Sequence, residues 1–157
     1  MAVTDGKAAI TGTLAAIATH PTPGAPMVEH EAAEVRPGVG VVGDVPGRSP
    51  AREVTVVDRD AWQSACRELG QEVPWTARRA NLLVTGLDLH ATTGCELRIG
   101  AVRLRVTGET QPCGIMDRQR AGLRRALEPD WRAGATCTVV AGGMVALGNA
   151  VALVRGE

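Results

Sequence analysis

The chain has 157 residues, 45% hydrophobic and 22% charged, which suits one compact domain spanning residues 1–157 and excludes a chain dominated by disorder. Seventeen basic residues balance seventeen acidic ones, so net charge calls for neither nucleic acid nor an anionic membrane as partner. There is no Phe and no Tyr, which removes the aromatic platforms of single-strand binders and leaves the core to Val, Leu, Ile and Ala.

In chain order, Lys7 ahead of the apolar run Ala8 to Ala18 faintly resembles an export signal. Asp5 and the Thr11-Gly12-Thr13 interruption weaken that pattern, so a first strand over Ile10 to Ala18 is expected. Three prolines between His20 and Pro26 make a loop, and a strand follows over Val28 to Val35. Gly38 to Gly43 matches GxGxxG. Pro37 before it, and Asp44, Pro46, Gly47 and Pro50 after it, leave no place for the helix a dinucleotide site requires, so it reads as a glycine-rich loop between strands. Next come a strand over Glu53 to Val57 and a helix over Ala61 to Leu69, with Asp60 as N-cap and Gly70 past its end. Asn81 to Val84 forms another strand. In ELRIG followed by AVRLRVTG, alternation puts Leu97, Ile99, Val102, Leu104 and Val106 on one face, with Gly100 and Ala101 as the turn.

A second helix is expected over Arg118 to Leu127, with Asp117 as N-cap and Pro129 beyond it. Its arginines Arg118, Arg120, Arg124 and Arg125 suit a solvated face, or one or two of them turn toward the preceding loop to meet an anion. Strands over Thr136 to Val140 and Val151 to Val154 complete the chain. Ala133 to Val154 carries no formal charge, but Gly142-Gly143 and Gly148-Asn149 break it into strands and turns rather than a membrane helix. Many short strands with a few short helices predict a mainly β, barrel-like domain.

The four cysteines lie far apart with no CxxC, which reads as reduced thiols in a cytoplasmic protein. There is no Walker A and no GxSxG, and His20, His30 and His90 stand singly as surface or turn residues. Cys113, in TGETQPCGIMD, has a distinctive setting between Pro112 and Gly114, after a strand and about four residues ahead of the second helix. A thiol there is accessible, and the helix N-terminus and Arg118 favour its thiolate. On sequence chemistry alone a buried, idle Cys remains the equal alternative.

The order RRANLLVTGLDL, CELRIGAVRLRVTG, QPCGIMD, WRAG and VVAGGMVALGNAV, preceded by GVGVVGD and REVTVVDRDAW, resembles the molybdenum-cofactor sulfurase C-terminal (MOSC) domain family over about residues 10–154. The resemblance implies a MOSC-type β-barrel-like domain as a stand-alone member, with no pyridoxal phosphate expected in this chain. It implies Cys113 as molybdenum ligand or persulfide-bearing residue, with Arg79 and Asn81 touching the molybdenum cofactor (molybdopterin). A soft thiolate suits either role of Cys113, an Arg fork suits a phosphate, and an Asn amide suits a heterocycle edge.

The implied function is a small oxidoreductase acting on N-hydroxylated or related N–O compounds as small-molecule substrates, served by an external electron-donor protein. The alternatives are a sulfur carrier served by a sulfur-donor protein, and a non-catalytic barrel module that has lost the cofactor. Three departures favour the last: Gln111 where many relatives have Arg, Ala133 within Arg132-Ala133-Gly134, and Asn149 after Gly148 in place of Asp.

Overall fold

The computed structural model describes residues 9–45, 49–111 and 114–155. The strands are β1 (Ala9–Thr19), β2 (Val28–His30), β3 (Ala32–Arg36), β4 (Gly40–Val41), β5 (Val54–Asp58) and β6 (Leu82–Thr85), then β7 (Glu96–Ile99), β8 (Val102–Glu109), β9 (Ala135–Ala141), β10 (Gly143–Ala146) and β11 (Ala150–Val154). Seven of them close a barrel in the order β11-β7-β8-β9-β5-β6-β1, with β1 pairing back onto β11. β2 extends this sheet from β1, while β10, β3 and β4 form a separate three-stranded sheet. The mainly β, barrel-like expectation is therefore met.

The predicted alternation explains the barrel interior. Leu97, Ile99, Val102, Leu104 and Val106 all join the buried core with Leu14, Ile17, Val54, Val56, Leu82 and Val84. Gly100 and Ala101 make the two-residue turn between the paired Ile99 and Val102, with Gly100 at φ 58. On the outer face Glu96 accepts from Arg98 at 3.0 Å and from Arg103 at 2.8 Å. The Arg103 hydrogen bond, with help from Arg98, holds the Glu96 carboxyl below the usual range.

β5 is buried on both faces, which is why it reads VTVV rather than alternating. Its Val54 and Val56 face the barrel, whereas Val57, with Leu83 of β6, packs outward against Trp62, Cys66, Met116, Leu123 and Leu127. β5 and β6 are a parallel pair, so their connection must cross over, and it carries α1 (Arg59–Leu69). The N-cap of α1 is Asp58, whose Oδ2 accepts the Ala61 N–H at 3.2 Å, and not Asp60, which lies in the first turn. Gly70 ends the helix at φ 77, as expected.

The second predicted helix is broken. α2 (Gly114–Gln119) and α3 (Leu123–Ala126) are separated at Gly122, whose φ of 86 no helix accommodates. Asp117 lies inside α2 rather than ahead of it, and its Oδ1 accepts the Arg124 N–H of α3 at 3.1 Å. Pro129 then opens a single 3-10 turn in which Asp130 and Trp131 have φ 54 and 59. Gly142 does separate two strands, but they are not a hairpin, because β10 leaves the barrel to pair with β3. Among the described residues, no helix is long and apolar enough to cross a membrane.

Candidate functional site

Asn81, just ahead of β6, is fully buried. Its Oδ1 accepts from the Thr55 N–H at 3.0 Å, and its Nδ2 donates to Asp44 Oδ2 at 3.0 Å and to the Ala18 carbonyl at 3.3 Å. Asp44, which ends the glycine-rich turn, also accepts the His20 N–H through Oδ1 at 2.6 Å. One amide and one carboxylate thus tie the end of β1, the start of β5 and the entry to β6 together. Both Asn81 amide hydrogens are spent on the protein, so the side chain serves the framework in this arrangement. His20 is 7% exposed and its Nε2 has no hydrogen-bond partner. It is a buried residue, not the surface or turn histidine expected from its isolation in the sequence.

Two residues before Asn81, a 3-10 turn over Trp75–Arg78 ends on Arg79 at φ 61. A left-handed Arg is uncommon. Arg79 and Arg120 line one groove of about 290 Å³ whose walls include Pro26, Met27, Val73 and Pro74. All four helix arginines are exposed, and of them Arg120 is the one that shares this groove with Arg79.

Cys113 lies outside the described residues, but its flanks are placed. Thr110, three positions before it, donates its N–H to the Gly134 carbonyl at 2.9 Å. Arg78 Nε donates to the neighbouring Ala133 carbonyl at 2.9 Å, and α2, just after Cys113, packs against the Trp75–Arg78 turn. The structure therefore brings the two flanks of Cys113 to the segment that carries Arg79. Thr110 is 1% exposed with its Oγ1 unpartnered, a buried polar atom that calls for an acceptor or donor from outside the described chain.

The three departures from the family pattern have local accounts. Gln111 is exposed. Ala133 contributes its backbone carbonyl to Arg78, and Gly134 keeps φ 107 where a Cβ would strike the Val56 carbonyl. Asn149 caps the last turn, accepting the Ala146 N–H through Oδ1 at 2.9 Å, so the turn geometry survives the loss of charge.

The other thiols are core residues. Cys66, Cys95 and Cys137 are unpaired and buried, and burial pushes the Cys137 thiol up to about 12. On brief, limiting alkylation of cofactor-free protein at neutral pH, Cys113 is therefore expected to react first, because thiolate fraction and access both govern the rate. Peptide mapping in which Cys66, Cys95 or Cys137 leads would remove the chemical case for Cys113.

Among the described residues, no group of three or more His, Cys, Asp or Glu side chains could hold a metal ion. The family model of the MOSC domain matches residues 44–152. The fold is similar to that of the YuaD protein from Bacillus subtilis, at TM-score 0.82 and 16% identity over 96% of this chain and 100% of that one. It is also similar to YiiM from Geobacillus stearothermophilus, at TM-score 0.68 and 16% identity over 92% and 75%. YiiM from Escherichia coli follows at TM-score 0.64 and 17% identity over 95% and 70%. At such identities these likenesses speak for the fold alone. The search of curated proteins gives no match. The matched span runs from Asp44 through Arg79, Asn81 and Cys113 to the last strand of the barrel, and the chain belongs to the MOSC domain family.

Proposed function

We propose that this chain is a cytoplasmic molybdenum-cofactor-binding protein, a small oxidoreductase that acts on N-hydroxylated or related N–O compounds. The observation that carries the reading is the convergence of Arg79, in its groove with Arg120, and the two flanks of Cys113. The residues present fit the cofactor. Arg79 offers a planar fork to a phosphate, the orphaned Thr110 Oγ1 offers a buried polar contact, and Cys113 offers one soft donor. When bound, the cofactor supplies a metal centre able to remove an oxygen atom from the substrate, with electrons from a separate protein. The chain's own part is to hold and orient. Asn81 and Asp44 fix the entry to β6 and so the position of Arg79, and the Pro26 and Met27 wall bounds the groove.

The test is the molybdenum content of protein made in a host that synthesises the cofactor, with about one metal per chain expected. Arg79→Ala should lower retention by about tenfold, the worth of one charge-assisted contact, with an unchanged thermal melt. Unchanged molybdenum in Arg79→Ala would remove Arg79 from the site. Sulfane sulfur on Cys113 without metal would replace the oxidoreductase reading with the sulfur carrier, and neither metal nor sulfur would leave the barrel as a binding module.

A further inference from the structure

A second cavity, of about 700 Å³, shares no lining residue with the Arg79 groove. Its volume is that of a small-molecule site. Four carboxylates line it, those of Asp58, Asp60, Asp88 and Asp130, against one cation, Arg132. That cation is already committed, with Nη2 at 2.6 Å from Glu68 and Nη1 donating to the Ala126 carbonyl. The wall is therefore acidic with little internal compensation.

Asp58 is the informative member. It is 7% exposed and lines the cavity, yet only its Oδ2 is used, as the cap of α1, while its Oδ1 is buried with no hydrogen-bond partner. A buried carboxylate oxygen without a donor is costly. Burial pushes the Asp58 carboxyl above its ordinary value, and the charges of Asp60 and Asp88 add to that. The Ala61 N–H opposes them, as does the Leu87 N–H, which falls short of hydrogen-bond geometry. A positively charged N–H donor in the cavity would satisfy the orphan oxygen and relieve all three carboxylates at once.

The donor arrangement decides the class of cation. The cavity far exceeds a single ion, and among the described residues no three acidic or imidazole groups come close enough to share a metal. Carboxylates spread around a cavity match ammonium groups spread along a carbon chain, and Ala61 and Leu87 on the same wall offer apolar contact to the methylenes between them.

We propose that this cavity binds an aliphatic di- or polyamine, with Asp58 accepting from one ammonium group and Asp60, Asp88 and Asp130 holding the rest. The proposal goes beyond the cofactor reading and stands or falls independently of it.

The test is calorimetric titration of the full chain with spermidine at fixed ionic strength, repeated in the presence of magnesium chloride. Saturable one-to-one binding is expected, unaffected by magnesium beyond ionic strength. Asp58→Asn should weaken it by roughly tenfold or more. Asn keeps a cap oxygen for Ala61, so the fold should persist. Removal of a carboxylate whose folded-state pKa is raised should stabilise the free protein at neutral pH, and this gain should fade as pH falls through the raised folded value and be gone below about 4, the ordinary value of the carboxyl. Asp88→Asn is the second variant. Asp88 is exposed, and its contact to the His90 N–H can be kept by the amide, so weakened spermidine binding there reports charge rather than folding. Absence of saturable binding, unchanged affinity in both variants, or displacement of spermidine by magnesium at matched ionic strength would overturn the proposal.

Discussion

Asn81→Ala is expected to cost about 3–4 kcal/mol of stability, the sum of a buried donor and a buried acceptor left unpaired. The Thr55 N–H and the Ala18 carbonyl lose a partner, and Asp44 loses its bond from Nδ2. In a chain of this length that is a fall of roughly 10 °C in Tm. Asn81→Asp tests the same network more sharply. One oxygen still serves Thr55, but the other would face Asp44 Oδ2 where a donor now sits at 3.0 Å. It should be at least as damaging at neutral pH and partly relieved in acid, as one of the two carboxylates takes a proton. A loss below about 1 kcal/mol in urea unfolding of Asn81→Ala would mean that water replaces the amide, and Asn81 would then be free to serve a ligand.

Cys113→Ser is expected to abolish both molybdenum retention and turnover of an N-hydroxylated substrate while leaving the thermal melt unchanged. A serine hydroxyl is a hard, weakly acidic donor and does not substitute for a thiolate at a soft metal. The fold should be indifferent, because serine is close to cysteine in size and asks little of the surrounding packing. The same variant discriminates between readings through sulfur. If wild type carries sulfane sulfur and no metal, and Cys113→Ser carries neither, the chemistry is sulfur carriage. Full activity in Cys113→Ser would displace the chemistry from this residue altogether.

The β7–β8 hairpin was legible because two independent signals coincide, alternating burial and a two-residue turn with Gly100. The first helix was legible in extent but not in its cap. Asp58 and Asp60 are equally good cap residues, and only the run of β5 directly into α1 selects the first. The break in the second helix had a visible cause, Gly122, whose cost the favourable periodicity on either side obscured. The pairing of β10 with β3 had no local signal, since it depends on residues a hundred positions apart.

At the candidate site, Arg79 and Asn81 were legible only as members of a family pattern. Their different roles, one lining a groove and one tying three strands, follow from tertiary contacts. His20 carried no sequence mark of burial. The acidic cavity draws its carboxylates from the end of β5, α1, the β6–β7 connection and the turn before β9, and no local pattern announces such an assembly.

The closing seam of the barrel has a kinetic meaning. β1 and β11 are the first and last described strands, and the ring is complete only when Ala9 to Thr13 meet Ala150 to Val154. Until the last strand is available, both β1 and β7 present unpaired backbone to other chains. Closure over so long a separation is entropically slow. Any chain in which β11 has not yet docked exposes these edges, and refolding yield should fall with protein concentration more steeply than native stability alone would dictate.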